Sequence, residues 1–126
     1  MNIQDSGLTL YTTAAAKSDN ESSMCVLFQA EKCDILITGD CNAFAERMLL
    51  RRVNLPDVDI LVAGHHGAAA STSEELLRCV TPETVLISVE ENNYYGHPSD
   101  ILLQRLQNFD CAVYRTDRHG TITIRR

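Results

Sequence analysis

Three short apolar runs, each closing on a polar loop that contains glycine, constrain this chain more than any other feature. They are ILIT at 35–38 before Gly39-Asp40, DILVAG at 59–64 before His65-His66-Gly67, and TVLISVE at 84–90 before a loop ending Tyr95-Gly96-His97-Pro98. Short runs without polar alternation suit strands buried on both faces. Between them lie segments with helical spacing. In CNAFAERMLLRRV at 41–53, Phe44, Met48 and Leu49 form one stripe, and Pro56 follows its end. A second helix is predicted over 73–80, ended by Pro82. Ser71 and Thr72 ahead of Glu74 and Glu75 predict its cap, since a hydroxyl satisfies free amides and acids favour the positive end of the dipole. Pro98 and Ser99 open a third helix, Asp100 to Asn108, with Ile101, Leu102 and Leu106 as its stripe.

Ahead of this alternation, GLTLYTT at 7–13 and SMCVLFQA at 23–30 read as strands flanking the polar stretch KSDNES at 17–22. Behind it, CAVYRT at 111–116 and TITIRR at 121–126 read as a hairpin turning at Asp117-Arg118-His119-Gly120. The order β, β, β, α, β, α, β, α, β, β predicts an α/β layered fold. Carboxyl ends of neighbouring strands in an open sheet form one crevice, so the three polar loops are expected to share an edge.

A length of 126 residues makes one domain, and 44% hydrophobic with 22% charged residues excludes a disordered tail. The net charge of −6 excludes an overall basic field that gathers nucleic acid. Arg115, Arg118, Arg125 and Arg126 form the basic cluster, read as a solvated edge. No apolar run approaches the ~18 to 20 residues of a membrane span, and MNIQDSGLTL lacks the pattern of a signal peptide, so the chain as given is expected to be soluble. Cys25, Cys33, Cys41, Cys79 and Cys111 are odd in number and contain no CxxC pair; they are expected to be reduced, with Cys25, Cys79 and Cys111 inside apolar patterns.

A carboxylate and imidazoles at adjacent strand ends suit zinc or manganese, whose ordinary ligands include Asp oxygen and neutral His nitrogen. Asp40 is therefore either a metal ligand or the cap of the helix that follows. In extended backbone His65 and His66 would point to opposite sides, which makes one a ligand and the other its support, or else a core histidine and a loop residue. His97 is a candidate proton donor, phosphate contact or helix-start residue, and His119 a turn residue.

Several of these segments together carry a resemblance. ILITGD at 35–40, Glu46, DILVAGHHG at 59–67 with Ser71 and Ser73, SVEENNYYGHP at 88–98 and YRTDRHGTITI at 114–124 resemble the C-terminal part of the metallo-β-lactamase-like domain of ComEC competence proteins. DNES at 19–22 and Ser23 resemble that family's entry into a strand. The resemblance covers residues 19–126 and implies the C-terminal half of an αββα sandwich, residues 1–126 making a single partial domain. It implies metal-dependent hydrolysis of phosphodiesters, a nuclease linked to DNA uptake, in a parent attached to a channel in the bacterial cytoplasmic membrane. Asp40 then matches a metal-bridging aspartate, His65-His66 the late metal-binding histidines, and His97 a catalytic position.

Two departures matter. The family's early His-x-(His or Asp)-x-Asp-His motif is missing from these residues, and Ala68 stands where many relatives have serine. One Asp and one or two His fall short of the usual catalytic zinc set of about three protein ligands, so this chain alone is expected to bind metal weakly and to be inactive. Its sheet is expected to expose an apolar face open to self-association. The alternatives are a stand-alone hydrolase of a small ester or phosphodiester, and a non-catalytic remnant acting as an interaction module.

Overall fold

The computed structural model describes residues 7–12 and 22–126; Thr13 of the first expected strand and, apart from Ser22, the KSDNES stretch at 17–22 with its DNES element lie outside them. The strands are β1 (Gly7–Thr12), β2 (Met24–Ala30), β3 (Cys33–Ile37), β4 (Ile60–Val62), β5 (Thr84–Ile87) and β6 (Ala112–Arg115). They form one six-stranded sheet in chain order. β1, β2 and β3 pair antiparallel, whereas β3 to β6 run parallel. Parallel neighbours need crossovers, and helices α1 (Ala43–Arg52), α2 (Glu74–Val80) and α3 (Asp100–Asn108) provide them.

Register explains the core. Leu27 pairs with Leu36, Leu36 with Leu61, and Leu61 with Val85, so one row of side chains crosses the sheet on a single face. That row clusters with Leu76, Leu77 and Val80 of α2 and with Leu102 and Leu106 of α3. A smaller cluster joins Cys25 and Cys41 to Ala45 and Leu49 of α1. A row of opposite facing, Leu10, Val26, Ile37, Val62, Leu86 and Tyr114, is also held in register. Its members Leu10, Ile37 and Tyr114 are exposed, as is Leu8 on the same face. An apolar sheet face therefore meets solvent, as the sequence predicts. Among the described residues no helix is long and apolar enough to cross a membrane.

Four sequence expectations are corrected. The second helix is capped by Ser73, whose hydroxyl accepts from Leu76 N–H at 3.2 Å; Ser71 and Thr72 are buried in the preceding loop. The final hairpin is replaced by a helical turn, α4 (Thr116–His119), with no strand in 120–126. Thr116 Oγ1 donates to Val89 O and accepts from Val89 N–H, both at 2.8 Å, and His119 Nδ1 accepts from Arg115 N–H at 2.9 Å. These bonds turn the chain at the end of β6 and take it out of the sheet. Cys79 is exposed, since α2 turns Leu76, Leu77 and Val80 inward instead. Phe44 and Ile101 are exposed too, and α1 buries Ala45, Glu46 and Leu49.

Leu61 sits mid-row with no exposure. Its replacement by Ala is expected to cost ~2–5 kcal/mol. Leu10→Ala, at an exposed position, should cost under ~1 kcal/mol, and urea unfolding of the two variants measures the contrast.

Candidate functional site

The polar loops leave the carboxyl ends of β3, β4 and β5, as the strand order predicts. After β3, Cys41 N–H donates to Thr38 O at 3.1 Å and closes a tight turn. Gly39 takes φ +57° there, and a Cβ on it would lie 2.9 Å from Met24 O, so the turn fits against β2 only with glycine. Asp40 is exposed on this turn. It is not the helix cap: Asn42 is, its side chain accepting from Ala45 N–H at 2.9 Å.

After β4 the chain makes a short helical turn, Gly64–Gly67, in which His65 and His66 both adopt left-handed backbone, with φ +48° and +55°. The extended geometry expected from the sequence, with rings on opposite sides, is thus replaced. Left-handed backbone costs a residue with a side chain about 1–2 kcal/mol, and such strain gathers at functional sites. His65 N–H donates to Gly39 O at 2.8 Å, tying this loop to the Asp40 turn. His66 Nδ1 lies 2.7 Å from Ser88 O. A carbonyl only accepts, so Nδ1 is the donor here; in the neutral ring that tautomer leaves the lone pair on Nε2, the arrangement of a ligating histidine with a carbonyl behind it.

His97 joins them from the loop after β5. Its ring lies 5.7 Å from that of His65, while the rings of His65 and His66 are 6.4 Å apart. Tyr95 stacks on His97 at 5.7 Å. Asn93 shapes the loop: its amide donates to His97 O at 2.6 Å, and its carbonyl oxygen accepts from His97 N–H at 3.0 Å. Burial lowers the pKa of His97, with the charges of His65 and His66 adding to the effect, so the neutral imidazole is favoured. Its Nδ1 is buried without a hydrogen-bond partner among the described residues. The two histidine loops are locked together: Ser99 N–H donates to Gly67 O at 2.9 Å, and a Cβ on Gly67 would lie 2.7 Å from Pro98 Cβ.

Sequence reasoning placed Glu46 in the resemblance without a role and missed how this edge is held. Glu46, fully buried on α1, accepts from Thr72 N–H at 2.6 Å and Ser73 N–H at 2.9 Å. Arg105 of α3 donates to Ala69 O, Ser71 O and Thr72 O at 2.9 to 3.1 Å. Thr72 Oγ1 in turn accepts from Gly64 N–H at 3.0 Å, so the clamp reaches the root of the histidine turn. The available signal was Glu46 lying between Ala45 and Leu49 on the buried side of α1, an acid where an apolar residue is ordinary. Arg105 gives no such signal, because its bonds span 33 to 36 residues.

The structure thus brings His65, His66 and His97 together and sets the Asp40 turn beside His65. Imidazole and carboxylate are the right donors for zinc or manganese, and the Nε2 lone pair of His66 fits that use. Among the described residues, however, no three His, Cys, Asp or Glu side chains are disposed to hold one ion.

An α/β chain with one mixed sheet and a histidine cluster at the strand carboxyl ends is the class that fold and site define. No protein-family model matches it. It is 36% identical over 108 residues to ComE operon protein 3 of Bacillus subtilis, and 34% identical over 108 residues to Recombination protein 2 of Haemophilus influenzae, in each case over 86% of this chain. It is also 33% identical over 107 residues, 82% of this chain, to Competence protein ComA of Neisseria gonorrhoeae. The chain spans 14 to 15% of the length of these relatives.

Glu46→Ala leaves the Thr72 and Ser73 N–H groups without their acceptor, and is expected to cost about 2 kcal/mol or more in urea unfolding. Burial raises the Glu46 pKa from 4.5 despite its amide bonds, so the folded state holds the proton more tightly than the unfolded chain. Its contribution to stability is then full below pH 4.5 and is lost as pH rises through the raised value. Glu46→Gln should flatten that slope in unfolding midpoints taken from about pH 4 to 7. Gly67→Ala, clashing with Pro98 at φ +87°, should destabilise by about 1–3 kcal/mol and shift the His97 ring resonances in NMR spectra.

Proposed function

We propose that this chain forms the C-terminal portion of a ComEC-like metal-dependent hydrolase that cleaves phosphodiesters during DNA uptake. The observation that carries this reading is the histidine cluster at the carboxyl edge of the parallel strands, in a chain 33 to 36% identical to Competence protein ComA and the two other relatives. The exposed row of Leu10, Ile37 and Tyr114 supports a metallo-β-lactamase-type sandwich in which a second sheet covers that face.

Asp40, His65 and His66 would contribute to a divalent zinc or manganese site shared with ligands from elsewhere in the complete protein. Such an ion, when bound, polarises a phosphate oxygen and lowers the pKa of water. His66 presents Nε2 because Ser88 O holds its other nitrogen, and the Gly39 carbonyl positions the backbone of His65. His97, held by Asn93 and backed by Tyr95, contacts the substrate phosphate or moves a proton to or from it. This chain's net charge of −6 supplies no overall basic field, so its own contribution to holding DNA, single-stranded or duplex, would be local, through the residues of the site. The parent's membrane channel is the structural partner.

In the complete protein, Asp40→Ala and His66→Ala are each expected to lower manganese-dependent cleavage of DNA by ~100-fold or more, with His97→Ala losing rate while retaining metal affinity. This chain alone should bind Mn²⁺ and Zn²⁺ weakly in calorimetry. Unchanged cleavage in the Asp40 and His66 variants would refute the assignment. Tight binding by the isolated chain, lost in Asp40→Ala, would favour a stand-alone hydrolase.

A further inference from the structure

The Sγ atoms of Cys25 and Cys41 lie 3.3 Å apart in a buried cluster beside the candidate site. The two residues are 16 apart in sequence and are brought together by the β2–β3 hairpin. Val26 pairs with Ile37, which places Cys25 opposite Thr38, and its thiol lies 3.8 Å from Thr38 O. The turn closed by Cys41 N–H and Thr38 O then carries Cys41 back over the strand end onto Cys25. Gly39 is the residue that permits this close return against Met24. The approach of the sulfurs is therefore set by backbone pairing on one side and a hydrogen-bonded turn on the other. Ala45 and Leu49 of α1 pack around it. Cys33, Cys79 and Cys111 have no such cysteine neighbour among the described residues.

We propose that Cys25 and Cys41 form a disulfide that staples β2 to the Asp40 turn when the chain folds in the presence of a thiol–disulfide oxidant. A disulfide bond of about 2.05 Å requires the sulfurs to close by about 1.3 Å, within reach of small side-chain rotations. The oxidant is a low-molecular-weight or protein disulfide. One cysteine thiolate attacks a sulfur of the reagent, which releases its first thiol. The other cysteine thiolate then displaces the second, so two cysteine protons and two electrons are given up and the reagent leaves as two thiols. Because both sulfurs are buried in the folded chain, exchange takes place during folding, before the hairpin and α1 close over them. Once formed, the bond fixes the turn that carries Asp40 and the Gly39 carbonyl to which His65 N–H is bonded.

The test is refolding of the wild-type chain in a mixture of oxidised and reduced glutathione, followed by acid quench and alkylation under denaturing conditions. Three of the five cysteines should label, and digestion should yield one linked pair of peptides, containing Cys25 and Cys41, that reduction separates. The oxidised protein should melt on the order of 10 °C above the same protein in dithiothreitol. The variant Cys33→Ser/Cys79→Ser/Cys111→Ser should keep both the bond and the shift. Five labelled cysteines, a linkage through Cys33, Cys79 or Cys111, or equal melting in the two redox conditions would overturn the proposal.

Discussion

Parallel pairing of β3, β4, β5 and β6 is the constraint from which the rest of this structure follows. A parallel neighbour can be reached only by a crossover, so each strand must hand the chain to a helix and every helix must return it to the same starting edge. The consequence is geometric: the segments that leave β3, β4 and β5 emerge side by side, and Asp40, His65, His66 and His97 arrive at one edge from stretches well separated in sequence. Burial of the Leu36, Leu61 and Val85 row holds that register, because a slip of one residue would turn it toward the uncovered face.

On this platform the site edge is held by polar bonds more than by apolar packing. Glu46 and Arg105 grip the same loop from opposite chemistries, one accepting from amides and the other donating to carbonyls. A buried acid and a half-buried guanidinium give this loop definition, since neither tolerates loss of its partners. The loop they define roots the turn in which two consecutive histidines take left-handed backbone. Local strain at His65 and His66 is thus supported by groups on α1 and α3 that never reach the imidazoles.

Much of this architecture was legible in the residues. The unbroken runs at ILIT, DILVAG and TVLIS marked strands, though not their burial on both faces, since Ile37 is exposed on the open one, and Pro98-Ser99 marked the start of α3. The meeting of three polar loops followed from strand order alone. What was hidden depended on bonds between distant residues. Asp40 and Asn42 are both good caps, and only the path of the turn selects Asn42. The exchange of a hairpin for a helical turn after β6 rests on Thr116 finding both backbone groups of Val89, a contact across 27 residues that no local pattern announces. His65 and His66 were visible as candidates, yet their relation to one another is set by dihedral angles that histidine seldom adopts.

Arg126 makes ion pairs to Asp59 and Glu83, residues that stand at the amino ends of β4 and β5. The histidines occupy the carboxyl ends of those same strands. The histidine cluster and this ion-pair cluster therefore lie at opposite ends of the same strands. An affinity handle or fluorescent reporter joined after Arg126 would begin its path on the far side of the sheet, leaving the approach to His65, His66 and His97 open.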